Sequence, residues 1–157
     1  MKEKYISTVM YYGGDILSSK NMQLEKEFIQ HGDTTTFEHS VNVACISMLL
    51  LNILHIRADM QALVRGALLH DYYLYDWHIE KNNKLHGFAH AGMALENAKR
   101  DFEITELEQD IIEKHMFPLN IKPPMYRESI AVCVADKLCA VAETFYLKRL
   151  MFYAGRQ

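Results

Sequence analysis

Histidine and aspartate are the residues of this chain whose types and spacing favour metal chemistry. Eight histidines occur among 157 residues, and neutral imidazole is a common ligand of zinc, iron and manganese. His70 and Asp71 are adjacent and directly follow the apolar face of a predicted helix, so both can reach one metal at a helix end or in a cleft. A carboxylate can also bridge two metal ions through its two oxygens, which an imidazole cannot do. By itself, a His-Asp dipeptide is close to a chance occurrence.

His39 and Asp136 strengthen the case for a metal site at this doublet. His39 falls in the first turn of a predicted helix, on an apolar face, and is expected to point inward. Asp136 follows the most apolar stretch of the last third, residues 130–135, where a carboxylate without a partner is costly. Lys137 belongs to a different helical face, so we expect a metal ion rather than this ammonium to neutralise Asp136.

Two further histidines lie at predicted helix ends, where side chains from several helices can converge. His90 opens one helix and His115 closes another, and both are predicted to be metal ligands. His86 precedes His90 by four residues, the spacing of paired zinc ligands in other folds. Gly87 follows it directly and argues against one continuous helix, so His86 is either a ligand or a loop histidine. Three histidines are predicted to lie at the surface or in loops: His31, His55 and His78.

Helices must position these residues, because the hydrophobic pattern is helical almost throughout. Apolar residues of 60–68 recur at the spacing of one helical face, and those of 130–141 repeat it, so both sets are predicted to be buried. The segments that begin at Thr35 and Thr105 match capping boxes. No alternating run is long enough to predict a strand. Helices are predicted at about 3–18, 21–30, 36–54, 58–71, 88–100, 105–116 and 126–150.

Composition agrees with a single all-α domain over residues 1–157, a bundle of about six to seven helices. Half the residues are hydrophobic and the net charge is −3; with lysine and arginine scattered, this argues against a nucleic-acid partner. The longest apolar stretch, residues 43–54, is shorter than the ~20 residues of a membrane span. Three cysteines without a CxxC pair predict reduced core thiols and a cytoplasmic location.

In their order along the chain, His39, the His70-Asp71 doublet and Asp136 resemble the ligands of the HD-domain superfamily of metal-dependent phosphohydrolases. The resemblance covers residues from about 35 to 143 and is to the small single-domain bacterial type. It implies that these four residues hold one metal ion. The motifs that carry it are Phe37-Glu38-His39-Ser40, Gly66-Ala67-Leu68-Leu69-His70-Asp71 and Val134-Ala135-Asp136-Lys137.

The resemblance also implies a second ion. Family members with two metals use additional histidines between the doublet and the last aspartate, and the doublet aspartate bridges the ions. His90 and His115 match those intervening positions, His86 is a further candidate, and Asp71 is the implied bridge. The implied cofactor is a pair of divalent transition-metal ions, and mixed imidazole and carboxylate ligands leave iron, manganese, zinc, cobalt and nickel open.

The activity implied by the resemblance is hydrolysis of a phosphoester or phosphoanhydride of a small molecule, with a nucleotide favoured. A metal-activated hydroxide, oriented by Asp71, would attack phosphorus. His86 is the candidate leaving-group acid, and Lys137, Lys122 and Arg127 are candidate phosphate contacts. The chain departs from many relatives because an aromatic stretch, residues 72–77, replaces the usual glycine-containing turn and lysine after the doublet.

Three alternatives remain open at the level of sequence, and one of them is a metal-free helical interaction domain. Some proteins of the same superfamily use a di-iron centre for oxygenation, and the ligand set does not distinguish the two chemistries. Another alternative is a non-catalytic metal-binding or nucleotide-sensing module. The substrate and the oligomeric state are also open.

Overall fold

The computed structural model of the protein describes residues 2–74, 86–145 and 152, and for residues 86–89 it describes the backbone alone. The all-α class predicted from the sequence is confirmed, because seven helices and one small hairpin make up the ordered elements of these residues. In chain order they are α1 (Lys2–Ser18), α2 (Lys20–Leu24), β1 (Ile29–His31), β2 (Thr34–Thr35), α3 (Thr36–Ile53), α4 (Met60–Leu69), α5 (His86–Asp101), α6 (Glu106–Lys114) and α7 (Arg127–Thr144).

The hairpin formed by β1 and β2 is the main departure from the predicted elements. The helix predicted at 21–30 ends at Leu24, and Ile29 pairs with Thr35 in an antiparallel register. Gly32 makes the turn possible because its φ of 60° lies in the left-handed region that glycine tolerates. Backbone hydrogen bonds that a longer helix would have made are replaced by bonds to the start of α3, such as Thr36 N to Phe28 O at 2.9 Å.

The helix starts follow the predicted capping boxes. The Thr35 hydroxyl accepts from Glu38 N, and the Glu38 carboxylate accepts from Thr35 N at 3.0 Å. Thr105 and Glu108 make the same reciprocal pair at the start of α6. Such a pair satisfies two otherwise orphaned backbone donors. The first box therefore fixes where α3 begins and places His39 in its first turn.

Helix α3 forms the centre of the bundle and packs against α1, α4 and α7. Val43, Ala44 and Cys45 are fully buried although they are consecutive, because neighbouring helices surround them. Among the described helices only α3 is long and apolar enough to cross a membrane, and 67% of that stretch is buried inside the bundle. All three cysteines are free and buried, as predicted.

Of the two apolar faces predicted to be buried, one prediction is confirmed and one is wrong. On α4 the predicted face packs against α1, α3 and α6, and it is fully buried except for Met60, which is partly buried. On α7 the predicted face is 44–56% exposed, and its residues are Ile130, Val134, Leu138 and Val141. The opposite face is buried instead, with Ala131, Val132, Ala135, Cys139 and Ala142. Helix α7 is apolar on both sides, so periodicity does not decide which side packs on α3, and the side with small residues does so.

Candidate metal centre

The His70-Asp71 doublet lies just beyond the last residue of α4 and points into the bundle. His70 is the C-cap of α4, and it is 0% exposed while Asp71 is 2% exposed. His70 Nδ1 donates to the carbonyl of Ala67 at 2.7 Å, so the neutral ring carries its lone pair on Nε2. This Nε2 atom is buried without a hydrogen-bond partner, which is the state of an imidazole available to a metal.

The first of two donor clusters joins His39, His70 and Asp136, whose candidate ligand atoms all lie within 4.8 Å of one another. His39 Nε2 is 3.1 Å and His70 Nε2 is 3.7 Å from Asp136 Oδ1. All three residues are buried. They come from α3, from the end of α4 and from α7, so three helices converge on this cluster.

The second cluster joins Asp71, His90 and His115, again with candidate ligand atoms within 4.8 Å of one another. The two Nε2 atoms of His90 and His115 are 3.0 Å apart. His115 Nδ1 donates to the carbonyl of Ile112 at 2.8 Å, which directs its Nε2 at the cluster as in His70. All three residues are buried.

Asp71 lies between the two clusters and directs one oxygen at each. Its Oδ2 is 3.4 Å from His70 Nε2 and 3.7 Å from His39 Nε2. Its Oδ1 is 3.4 Å from the Nε2 atoms of both His90 and His115, and this oxygen is buried without a hydrogen-bond partner. A carboxylate with this orientation can serve both clusters.

The electrostatics of the clusters favour bound cations. Burial opposes ionisation of Asp71 and Asp136, but the surrounding histidines outweigh burial and hold the pKa of each carboxyl below its usual value. Burial lowers the pKa of His115 although Asp71 opposes this shift. The donor set contains two ionised carboxylates and the neutral imidazole of His115. It also contains two buried atoms without a hydrogen-bond partner, His70 Nε2 and Asp71 Oδ1. Such a set fits divalent transition metals.

The other predicted site residues differ in how close they lie to the two clusters. Lys137 Nζ donates to the carbonyl of His115 at 2.8 Å and lies 3.9 Å from Asp136 Oδ2, so it stands beside the clusters. Lys122 pairs with Glu113 at the surface, and Arg127 donates to the carbonyl of Arg57; in the described contacts neither touches a cluster residue. His86 is the first residue of α5, and its side chain lies outside the described residues, as does His78.

Sequence reasoning missed several residues that surround the clusters. Glu143 Oε2 accepts a 2.7 Å hydrogen bond from His39 Nδ1, and its spacing of seven residues from Asp136 could have indicated a shared helical face. Gln30 donates to Asp71 Oδ2. His31, predicted to lie at the surface or in a loop, is partly buried at the end of β1, where its ring packs edge-on against that of His39 with centroids 5.4 Å apart. Gln30 and His31 both lie on the β1–β2 hairpin, which the sequence did not predict. His55 is exposed, as predicted.

Comparison with known proteins gives the family. The family model that describes HD domain sequences matches residues 36–141, which is more than half of the chain. The chain belongs to the HD domain family. The matched region extends from α3 into α7 and includes both clusters. Gln30, His31 and Glu143 lie outside this region. HD domains form a superfamily of metal-dependent phosphohydrolases. No curated protein and no solved structure shows significant similarity to the chain.

Proposed function

We propose that this HD domain is a hydrolase that uses two divalent metal ions to cleave a phosphoester or phosphoanhydride bond in a small molecule, with a nucleotide as the favoured substrate class. The observation that carries the proposal is the position of Asp71, a buried carboxylate with one oxygen directed at each of two buried donor clusters. A carboxylate shared in this way would hold two ions at a fixed separation.

The proposed ligands divide between the two clusters. His39, His70, Asp136 and Asp71 Oδ2 would hold one ion, and Asp71 Oδ1, His90 and His115 would hold the other; His86 is a further candidate for the second. Such ions lower the pKa of coordinated water toward about 7 and neutralise charge on the phosphoryl group. The role proposed for Asp71 is to orient the attacking water relative to both ions.

Hydrogen bonds behind the imidazoles hold the rings in place. Glu143 accepts from His39 Nδ1, and backbone carbonyls accept from Nδ1 of His70 and His115. Each of these bonds leaves Nε2 directed at a cluster. Outer hydrogen bonds of this kind fix the tautomer and ring orientation of a metal-binding histidine, so little side-chain entropy remains to be lost when an ion binds.

Lys137 is our first choice as the phosphate contact. Asp136 is the most exposed of the six ligands proposed above with described side chains, at 8%, so substrate would reach the cluster most easily from its side. The ammonium of Lys137 lies there, half-exposed, and can bind phosphoryl oxygens as a point charge. Lys122 and Arg127 remain secondary candidates because both are engaged in surface contacts. His86 is the proposed leaving-group acid.

A small phosphorylated molecule is the partner we propose, with neither nucleic acid nor membrane. The net charge of −3 offers no long-range attraction to a polyanion. Three free, buried cysteines agree with a cytoplasmic location, where thiols stay reduced.

The test is metal analysis of the purified protein followed by phosphate-release assays without oxygen. Protein loaded with manganese or iron is given nucleotides, dinucleoside polyphosphates and aryl phosphates. We expect phosphate release that His70→Ala and Asp136→Ala abolish and that His55→Ala, a change at an exposed histidine, preserves. Oxygen-dependent loss of substrate without phosphate release would identify a di-iron oxygenase instead, and metal binding without turnover of any substrate would identify a sensing module.

A further inference from the structure

Gln30 makes a direct hydrogen bond to the carboxylate that lies between the two clusters. Its Nε2 donates to Asp71 Oδ2 at 2.5 Å, the same oxygen that faces His39 and His70. Gln30 lies on β1, forty-one residues before Asp71, and is itself buried. The contact is therefore a long-range tertiary one that depends on the hairpin, outside the part of the chain that the HD domain model matches.

Tyr73 determines which end of the Gln30 amide faces Asp71. The hydroxyl of Tyr73 donates to Gln30 Oε1, and both side chains are buried. If the amide were flipped, its oxygen would lie against Asp71 Oδ2 and two acceptors would meet without a proton between them. The Tyr73 hydroxyl is also 3.5 Å from the hydroxyl of Thr36, at the start of α3, so the donor chain is anchored on a second element.

The hydrogen bonds from Tyr73 to Gln30 and from Gln30 to Asp71 restrain the terminal torsion of the Asp71 side chain. The terminal torsion of an aspartate is broad and roughly two-fold, and rotation about it would move Oδ1 away from His90 and His115. A hydrogen bond to Oδ2 opposes that rotation. We propose that Gln30, oriented by Tyr73, is a positioning residue that keeps the Asp71 carboxylate directed at both clusters. This inference rests on the two-metal function proposed above.

The two metal sites differ in how much they depend on Asp71. The first cluster has three other ligands, His39, His70 and Asp136. The second has two imidazoles, and among the described side chains Asp71 is its only carboxylate. Loss of the correct carboxylate orientation should therefore weaken the second ion much more than the first. Substitution of a residue that hydrogen-bonds a metal ligand typically lowers metal affinity by about 10- to 100-fold.

The experiment compares two glutamine-to-methionine changes. Gln30→Met removes the amide that bonds Asp71, and Gln23→Met removes an amide of the same type that donates to the carbonyl of Leu17 on α1. Equilibrium dialysis with Mn²⁺ gives the dissociation constant of each ion, and electron paramagnetic resonance distinguishes a spin-coupled manganese pair from isolated ions. Tyr73→Phe, which removes only the orienting hydroxyl, is measured in parallel.

We expect two ions and a coupled signal in the wild-type protein and in Gln23→Met. In Gln30→Met the second dissociation constant should rise at least about tenfold, the first should change less than about threefold, and the coupled signal should weaken. Tyr73→Phe should shift the same constant in the same direction, and it decides the matter if Gln30→Met does not fold. Equal second constants in the two methionine variants, or a single ion per wild-type chain, would overturn the inference. A two-ion protein with the expected affinity split but no phosphate release would support the inference while refuting the hydrolase.

Discussion

His39 Nδ1 donates a 2.7 Å hydrogen bond to Glu143 Oε2, and neither side chain has any exposed surface. The same imidazole faces Asp136 through Nε2 at 3.1 Å. Burial disfavours the charged ring, but the two carboxylates outweigh it and raise the pKa of His39 well above its usual value. Glu143 therefore determines the orientation of a proposed metal ligand, although it belongs to neither donor cluster.

Substitution of Glu143 should weaken the first metal ion while leaving the second nearly unchanged. Glu143→Gln keeps an acceptor for His39 Nδ1 but removes its charge, and Glu143→Ala removes the acceptor as well. We expect the first dissociation constant to rise about 10-fold in Glu143→Gln and toward about 100-fold in Glu143→Ala. Calorimetric titration with Mn²⁺ measures both constants. Glu113→Gln, at the partly exposed partner of Lys122, is the control, and an equal response of both ions to Glu143→Ala would contradict the assignment.

Lys137 should affect substrate affinity without affecting metal content. Its ammonium bonds the carbonyl of His115 and stands beside Asp136, so Lys137→Met keeps the aliphatic stem and removes the charge. We expect KM for the phosphorylated substrate to rise about tenfold or more, since a charge-assisted hydrogen bond contributes about 1.5–3 kcal/mol. Steady-state kinetics and metal analysis on the same samples check this. Lys122→Met is the matched surface control, and a fall in metal content with Lys137→Met would show a structural role instead.

Glu25 should make the stability of the metal-free protein fall as pH rises. Burial, with a contribution from the charge of Asp71, raises the pKa of its carboxyl from 4.5 to about 8, although the Leu74 amide and the Thr36 hydroxyl oppose the shift. Its Oε2 is buried without a hydrogen-bond partner, which agrees with a protonated group. Between these two pKa values the folded state binds more protons than the unfolded state, so the free energy of unfolding decreases with pH.

Replacement by glutamine tests this directly. From pH 5 to pH 8.5 the wild-type protein should lose on the order of a few kcal/mol that Glu25→Gln retains, because each unit of pKa difference corresponds to about 1.4 kcal/mol. Urea titrations at several pH values, with metal removed by a chelator, measure the difference. Parallel pH dependence of the two proteins would show that Glu25 ionises normally in the fold.

Local sequence signals predicted the helices well because their causes are local. The reciprocal bonds of Thr35 with Glu38 depend on residues three apart, so the sequence reveals them. The ligand order of the family located the clusters for a similar reason, since most of the ligands lie near a helix end. Asp136 lies in the middle of α7 and is recognised by the apolar residues that precede it. Glu143 could have been included, because it repeats the position of Asp136 two turns later.

The residues that were not predicted depend on tertiary contacts. Two hairpin strands of three and two residues are too short to show an alternating pattern, so nothing local indicates that Gln30 approaches Asp71 or that His31 approaches His39. The packed side of α7 was assigned incorrectly because both sides are apolar, and close approach to α3 selects the one with alanines. Which of two apolar faces is buried depends on how the helices pack in the complete bundle.

The two capping boxes offer a matched pair of substitutions. Thr35→Ala and Thr105→Ala each remove the same acceptor and should each cost about 1 kcal/mol of stability. Only Thr35 begins the helix that carries His39 in its first turn, so Thr35→Ala should also weaken the first metal ion by severalfold. Thr105 lies ten residues before His115 and should leave both ions unaffected. Urea titration and Mn²⁺ dialysis together test the pair, and equal metal affinities would show that fraying of α3 stops short of His39.

Gly66 should be intolerant of a side chain because α4 packs directly against Ile111 of α6 there. A Cβ at this position would lie 2.7–2.9 Å from three side-chain atoms of Ile111, closer than atoms pack without displacement. Gly66→Ala should therefore push α6 away from α4 and cost about 1–3 kcal/mol of stability. Because the doublet follows α4 and His115 follows α6, the second metal ion should also bind more weakly. Gly92→Ala is the control, since a Cβ added at that position would have no neighbouring atom within 4 Å. Alanine also favours a helix over glycine by about 0.5–1 kcal/mol. Thermal unfolding should thus shift in opposite directions for the two variants, and a stabilised Gly66→Ala would show that the α4–α6 contact is looser than the structure indicates.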